Sequence, residues 1–268
     1  MRIAITGAGG FLGRALRAVL AGAEPPLLLS RGQGGAGDPL LVPAACVLVH
    51  LGEPADAGQA GREGETHVSA VTDAMARLLC QPWHHIVYAS SALVYGDEAT
   101  VPVDVSAPTP GPGFYAQGKR AVEAMVLAAG GTVLRFANLY GPGQAQGTVL
   151  ADLMMQLGEP GPLLVRDADP VRDFLHVRDA AAALVVAVSR MPGGIWNIGS
   201  GRGLPIGELA SLLLAVAGQQ GREIRSKGIS GRRSYLVLDI TRSQVGLGWA
   251  PTIDLRSGLK EMLTDHDR

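Results

Sequence analysis

The stretch Arg2-Ile3-Ala4-Ile5-Thr6-Gly7-Ala8-Gly9-Gly10-Phe11-Leu12-Gly13 decides how the chain is read. An apolar strand runs from Arg2 to Thr6 and meets a glycine-rich turn. Helical periodicity follows through Leu12, Leu16, Val19 and Leu20. Glycines let the backbone turn tightly, and the helix N-terminus behind them favours negative charge. Strand, turn and helix therefore make a corner that suits a pyrophosphate, with Gly7, Gly10, Phe11, Leu12 and Gly13 around it. The spacing is Gly-x-x-Gly-x-x-Gly; a Gly-x-Gly-x-x-Gly pattern would need glycine where Leu12 stands. A plain tight turn between strand and helix is the competing reading of the same glycines.

Outward from this corner, strands and helices alternate. A second strand, Leu27-Leu28-Leu29, ends in Ser30-Arg31, where an acidic residue would hold an adenosine ribose. A hydroxyl and a guanidinium suit a 2′-phosphate instead, which leans towards NADP; a solvated loop arginine is the alternative. The next strand, Cys46 to Leu51, follows after only about sixteen residues, too few for a helix, a strand and another helix. Gly52-Glu53-Pro54 reads as a solvated turn. Residues 66–79 read as a helix, and His85 to Ala89 as a buried strand running into Ser90-Ser91-Ala92-Leu93-Val94-Tyr95-Gly96. Open α/β sheets place their sites at such strand ends. A proline-rich stretch leads to a helix from Tyr115 to about Ala129, then a strand from Thr132 to Phe136. Residues 147–158 look helical, Arg172 to Asp179 starts a long apolar helix, and residues 222–233 are basic and irregular. The fold class expected is α/β with a doubly wound, Rossmann-like parallel sheet.

Tyr115 and Lys119 lie four apart, one helical turn from each other on one face. A phenol has a pKa near 10, and a neighbouring ammonium favours its phenolate. Such a pair trades protons with an alcohol or carbonyl.

Composition narrows the function. Hydrophobic residues make up 47% of the 268, ample for a core, and the net charge of −1 gives no overall basic footprint for nucleic acid or an anionic membrane. No apolar run reaches the roughly 18 residues of a membrane span, and the N-terminus has no signal-peptide layout. Cys46 and Cys80 read as buried free thiols, and no metal-ligand spacing occurs. These features predict a cytoplasmic protein with no metal.

Ordered motifs along nearly the whole chain then add up. They are Thr6 to Gly13, Val49-His50-Leu51, Ser90 to Gly96, Tyr115 with Lys119, Leu134 to Gly143, Arg172 to Val177, Asn197 to Gly201, and Leu247-Gly248-Trp249. The chain resembles the extended short-chain dehydrogenase/reductases of the NAD-dependent epimerase/dehydratase group, which act on nucleotide sugars. The resemblance implies that Tyr115 is the acid/base, that Lys119 binds the nicotinamide ribose and that Ser91 holds the reacting oxygen. Leu51 would line the cofactor site. Asn138 and an arginine of the pair Arg232-Arg233 would face the nucleotide diphosphate; Arg172 lies beside them or serves the fold. It also implies a dinucleotide domain of residues 1–140 plus about 171–200, and a smaller substrate lobe of about 141–170 plus 201–268.

The chain departs from the group in three places. Ala92-Leu93 stands where dehydratases carry an acidic pair, His67 stands where asparagine is frequent, and the segment after Arg31 is short. The expected function is an NAD(P)-dependent 4-ketoreductase or 4-epimerase acting on a nucleotide-linked hexose, not a dehydratase, with NADP or NAD as cofactor. A non-catalytic dinucleotide sensor or scaffold is the alternative. Nucleic-acid binding through Arg222, Arg225, Lys227, Arg232 and Arg233 is disfavoured by the balanced charge. A homodimer is expected from surplus apolar residues on the two central helices, notably Val122, Met125 and Val126.

Overall fold

The computed structural model describes residues 2–29, 46–228, 231 and 233–266. In chain order the elements are β1 (Ile3–Thr6), α1 (Phe11–Val19), β2 (Leu27–Leu29), β3 (Val47–His50), α2 (Ala57–Glu63), α3 (Glu65–Leu79), β4 (His85–Ser91), α4 (Gly113–Ala128), β5 (Thr132–Phe136), β6 (Asn138–Tyr140), α5 (Val149–Met155), β7 (Leu163–Val165), β8 (Val171–His176), α6 (Val177–Arg190), β9 (Gly194–Ile198), β10 (Gly203–Pro205), α7 (Ile206–Val216), β11 (Ile224–Ser226), β12 (Tyr235–Leu236), α8 (Thr241–Leu247) and α9 (Leu255–His266). A short 3-10 turn, Ala92–Tyr95, follows β4.

Six strands form one parallel sheet in the order β2-β1-β3-β4-β5-β9. Alternate residues of each strand feed opposite faces, as the two-residue period of a strand requires. Ile5, Val47, Val49, Val87 and Leu134 pack on the side that α1 and α6 cover. Ala4, Leu48, Ile86, Tyr88 and Val133 join Val71 and Met75 of α3 and Val122 and Val126 of α4 on the other. A sheet buried on both faces reads as continuous apolar runs, which is why β3 and β5 are uniformly buried. The strand order reverses between β1 and β3, the kind of switch point at whose carboxyl strand ends open α/β sheets place their ligands.

A second sheet joins β10, β8 and β12, with β6 also pairing β8, and a two-stranded piece joins β11 to β7. A separate core of Leu150, Leu153, Leu163, Phe174, Leu209, Leu213 and Leu259 lies with them.

Three expectations are corrected here. Val171–His176 is a strand, and the helix begins only at Val177, because Phe174 and Leu175 bury on opposite sides, one in each core. Cys46 is buried but Cys80 is exposed, since it caps the end of α3. Val122 and Val126 are spent on the sheet rather than on the outward face of α4; Met125 is half-buried. Among the described residues no helix is long and apolar enough to cross a membrane, and no cluster of three metal-ligating residues occurs.

Candidate active site

The glycine turn sits at the switch point. Gly7 has φ +68°, a left-handed conformation that glycine adopts without strain. A Cβ there would lie 2.6 Å from the Leu51 carbonyl carbon, so only glycine lets β1 approach the end of β3 this closely. A Cβ on Gly13 would lie 2.8 Å from Ala8 Cα. The turn thus folds tightly over the start of α1, bringing Gly7, Gly10, Phe11, Leu12, Gly13 and Leu51 together. No side chain caps α1, and no acidic residue stands in its first turn. Its free N–H groups and dipole fit an anionic diphosphate. Arg14, one turn in, donates to the carbonyls of Gly9 and Gly143, each at 2.7 Å, and so ties the turn to the loop after β6.

Ser91 ends β4. Its Oγ accepts from the Leu93 N–H at 3.2 Å, which leaves the hydroxyl proton available. Tyr115, in the first turn of α4, is half-buried and stacks on His67 with ring centroids 6.4 Å apart. Among the described residues its hydroxyl has no hydrogen-bond partner. Lys119 is buried one turn on, its ammonium 5.7 Å from the centroid of the Tyr115 ring.

The Lys119 ammonium contacts the Glu53 carboxylate at 2.8 Å and donates to the Ala89 carbonyl at 2.9 Å. Glu53 is therefore not the solvated turn residue that its Gly-Glu-Pro setting suggests. Its side chain is 6% exposed and also accepts from the Tyr88 hydroxyl at 2.8 Å. Burial pushes its carboxyl up, but the Lys119 ammonium and the adjacent His50 more than offset that, and its pKa falls to about 2. Burial pulls the Lys119 ammonium down, and Glu53, Tyr115 and Glu123 together outweigh this, leaving it above the ordinary lysine value. Sequence reasoning missed Glu53 because its partners lie on distant elements. The available signal was a charged residue three positions past an apolar, fully buried strand.

The remaining predicted residues lie nearer the second sheet. Asn138 is exposed on β6 and donates to the Asp173 carbonyl at 3.1 Å. Arg172 on β8 donates to Ser234 Oγ at 2.6 Å and to Asp97 at 3.2 Å. Arg233 donates to the Thr100 carbonyl at 3.2 Å. Arg172 and Arg233 thus converge on the segment 97–100, each already engaged with protein atoms. Ser30, Arg31 and Arg232 lie outside the described residues. The Asp173 carboxylate accepts from Ser200 N–H and hydroxyl, Gly201 N–H and Leu238 N–H. This accounts for the acidic residue of the Arg-Asp-Phe motif as a structural clasp.

A profile of the NAD dependent epimerase/dehydratase family matches residues 44–199, more than half of the chain. The chain belongs to that family. Its relatives include nucleotide-sugar epimerases, reductases and dehydratases. A UDP-glucose 4-epimerase from Azospirillum brasilense is 30% identical over 65% of this chain and 58% of its own length. The chain spans between 39% and 61% of the length of three 4-epimerases that it matches. A GDP-6-deoxy-D-mannose reductase from Pseudomonas aeruginosa is 28% identical over 98% of this chain and 96% of the reductase. The solved structure of RMD from Pseudomonas aeruginosa complexed with NADPH superposes with a TM-score of 0.86 at 26% identity, covering 99% of this chain and 98% of that one. The glycine corner, Ser91 and the Tyr115–Lys119 pair thus stand in a family chain with a Rossmann-like sheet.

Proposed function

We propose that the protein is an NAD(P)-dependent oxidoreductase acting at C4 of a nucleotide-linked hexose, as a 4-ketoreductase or a 4-epimerase, with the ketoreductase favoured. The observation that carries the reading is Lys119, seated on the Ala89 carbonyl two residues before the β4 end at Ser91, with its ammonium 5.7 Å from the centroid of the Tyr115 ring. The near full-length likeness to a reductase supports the preferred branch.

The residues divide the work as follows. The α1 N-terminus and glycine turn hold the cofactor diphosphate, and Lys119 meets the nicotinamide ribose. A bound nicotinamide supplies the hydride. The Tyr115 hydroxyl, unpartnered among the described residues, gives its proton to the substrate oxygen. Ser91 donates a hydrogen bond to that same oxygen and stabilises the charge that develops there. Asn138, Arg172 and Arg233 line the side from which the nucleotide diphosphate approaches. In this reading the second core forms the substrate lobe. Ala92 and Leu93 offer no carboxyl group beside Ser91, so elimination of water is not part of the proposal.

Purified protein is offered NADPH or NADH with a panel of nucleoside-diphosphate 4-keto hexoses and hexoses, following nicotinamide absorbance and sugar stereochemistry. Stoichiometric NAD(P)H consumption supports the ketoreductase. Interconversion at C4 without net consumption supports the epimerase. Cofactor binding with no turnover on any sugar points to a sensor. Tyr115→Phe is expected to lose at least about a hundredfold in turnover, the usual scale of acid/base catalysis, with cofactor affinity unchanged. The proposal includes a homodimer that packs the outward faces of α3 and α4, where Ala70, Ala76 and Ala124 are exposed. A single-chain mass in sedimentation at micromolar concentration overturns that part.

A further inference from the structure

Behind Lys119 lies a buried set of polar side chains that the proposed chemistry leaves unused. Glu53, just past β3, is 6% exposed and faces Lys119 of α4 at 2.8 Å and the hydroxyl of Tyr88, from β4, at 2.8 Å. His50, at the end of β3, stacks on Tyr88 with centroids 5.9 Å apart. Its Nδ1 lies 2.7 Å from the Thr6 hydroxyl of β1, and its Nε2 lies 3.6 Å from Glu53 Oε1. That last separation exceeds a hydrogen bond, and both atoms are buried without a hydrogen-bond partner. The other charged or titratable groups around the ammonium are Tyr115 and Glu123, both on α4. Glu123 is occupied by Arg135.

We propose that Glu53 is a positioning residue for Lys119: its buried carboxylate keeps the ammonium charged and fixed beside Tyr115 before any cofactor arrives. The inference rests on reading Tyr115 and Lys119 as the catalytic pair. A lone ammonium with no solvent around it tends to lose its proton, because burial disfavours the charged form. Glu53 and the Ala89 carbonyl take two of the three Lys119 N–H groups from behind. The remaining one is left for the ribose. The carboxylate itself is held by Tyr88, so the lysine is seated against a fixed anion rather than a mobile one. Ammonium and carboxylate together carry no net charge, and the charge felt at the Tyr115 ring is that of a pair rather than of a bare cation.

The test uses the full chain without cofactor. It has only three lysines, Lys119, Lys227 and Lys260, so lysine-selective isotope labelling gives three signals to titrate by NMR. Loss of one signal in Lys119→Arg assigns the site. In the parent, the Lys119 signal should stay in its charged position past the midpoints of the two others. In Glu53→Gln its midpoint should fall by at least about one pH unit, a tenfold gain in acidity. Lys227 and Lys260 should not move, and serve as the control for folding. Glu53→Asp, which withdraws the carboxylate by one carbon, should shift it in the same direction but less. NADPH affinity of Glu53→Gln should then weaken as pH rises through the new midpoint, whereas the parent stays flat; a purely packing role for Glu53 moves neither readout. An unchanged Lys119 midpoint in both variants overturns the proposal. The titration needs no substrate, so a failure of the proposed activity and a failure of this inference are told apart.

Discussion

Arg135 grips Glu123 with two parallel hydrogen bonds, Nε to Oε1 at 2.9 Å and Nη2 to Oε2 at 2.6 Å, with both side chains 5% exposed. Ser90 donates to the same carboxylate at 2.5 Å. The pair fastens α4 to β5 and to the end of β4, the elements that carry Tyr115, Lys119 and Ser91. Removing one partner leaves a buried, uncompensated charge. Glu123→Ala is therefore expected to cost about 3–5 kcal/mol, read as a lower midpoint in urea unfolding.

Acid should weaken the protein through Glu53. Its folded pKa of about 2 lies below its ordinary value of 4.5. A depressed carboxyl contributes stability that is fully present above the unfolded value and is lost as pH falls through the folded one. The window thus runs from about pH 5 down to about pH 2, with a contribution on the order of 3 kcal/mol. Urea unfolding from pH 6 to 3 should show a steeper loss for the parent than for Glu53→Gln. Equal slopes would remove Glu53 as the cause.

The glycine corner separates two substitutions. A Cβ on Gly9 meets nothing within 4 Å, whereas one on Gly13 would strike the Ala8 backbone at 2.8 Å. Gly13→Ala should destabilise by about 1–3 kcal/mol and weaken cofactor binding, since the turn has to open. Gly9→Ala should leave the unfolding midpoint within about 0.5 kcal/mol of the parent. Thermal and urea unfolding of the two variants decide it.

Cofactor choice follows from Ser30 and Arg31, which stand after β2 with no acidic residue beside them. NADP(H) should bind more tightly than NAD(H) by about 1–3 kcal/mol, the worth of hydrogen bonds to a charged group. Arg31→Ala should erase most of that difference and leave NAD(H) affinity nearly unchanged. Titration calorimetry with both cofactors on both proteins measures it, and equal or stronger NAD(H) binding by the parent overturns it.

Local patterns carried the sheet and the juxtaposition of Tyr115 with Lys119. Glycine spacing, buried runs and the four-residue step from Tyr115 to Lys119 are features of neighbouring residues, and each reads directly. Features that depend on distant partners did not. Glu53 is buried because Lys119 and Tyr88 receive it, and nothing near residue 53 announces either. The Arg172-Asp173-Phe174-Leu175-His176 run reads as the start of a helix until β6, β10 and β12 pair with it. Val122 and Val126 looked surplus because the depth of the sheet face they fill was not visible.

The Asp173 clasp has a consequence for how the chain is made. Its carboxylate waits for Leu238, and Leu236, Leu238, Ile240, Leu247 and Trp249 complete the core that packs against α1 and α6. The ribosome delivers Leu238 65 positions after Asp173. Until those residues emerge, the sheet and helices made before them keep an open core face, so locking waits on a later segment. A nascent chain halted before residue 236 would expose that face to chaperones.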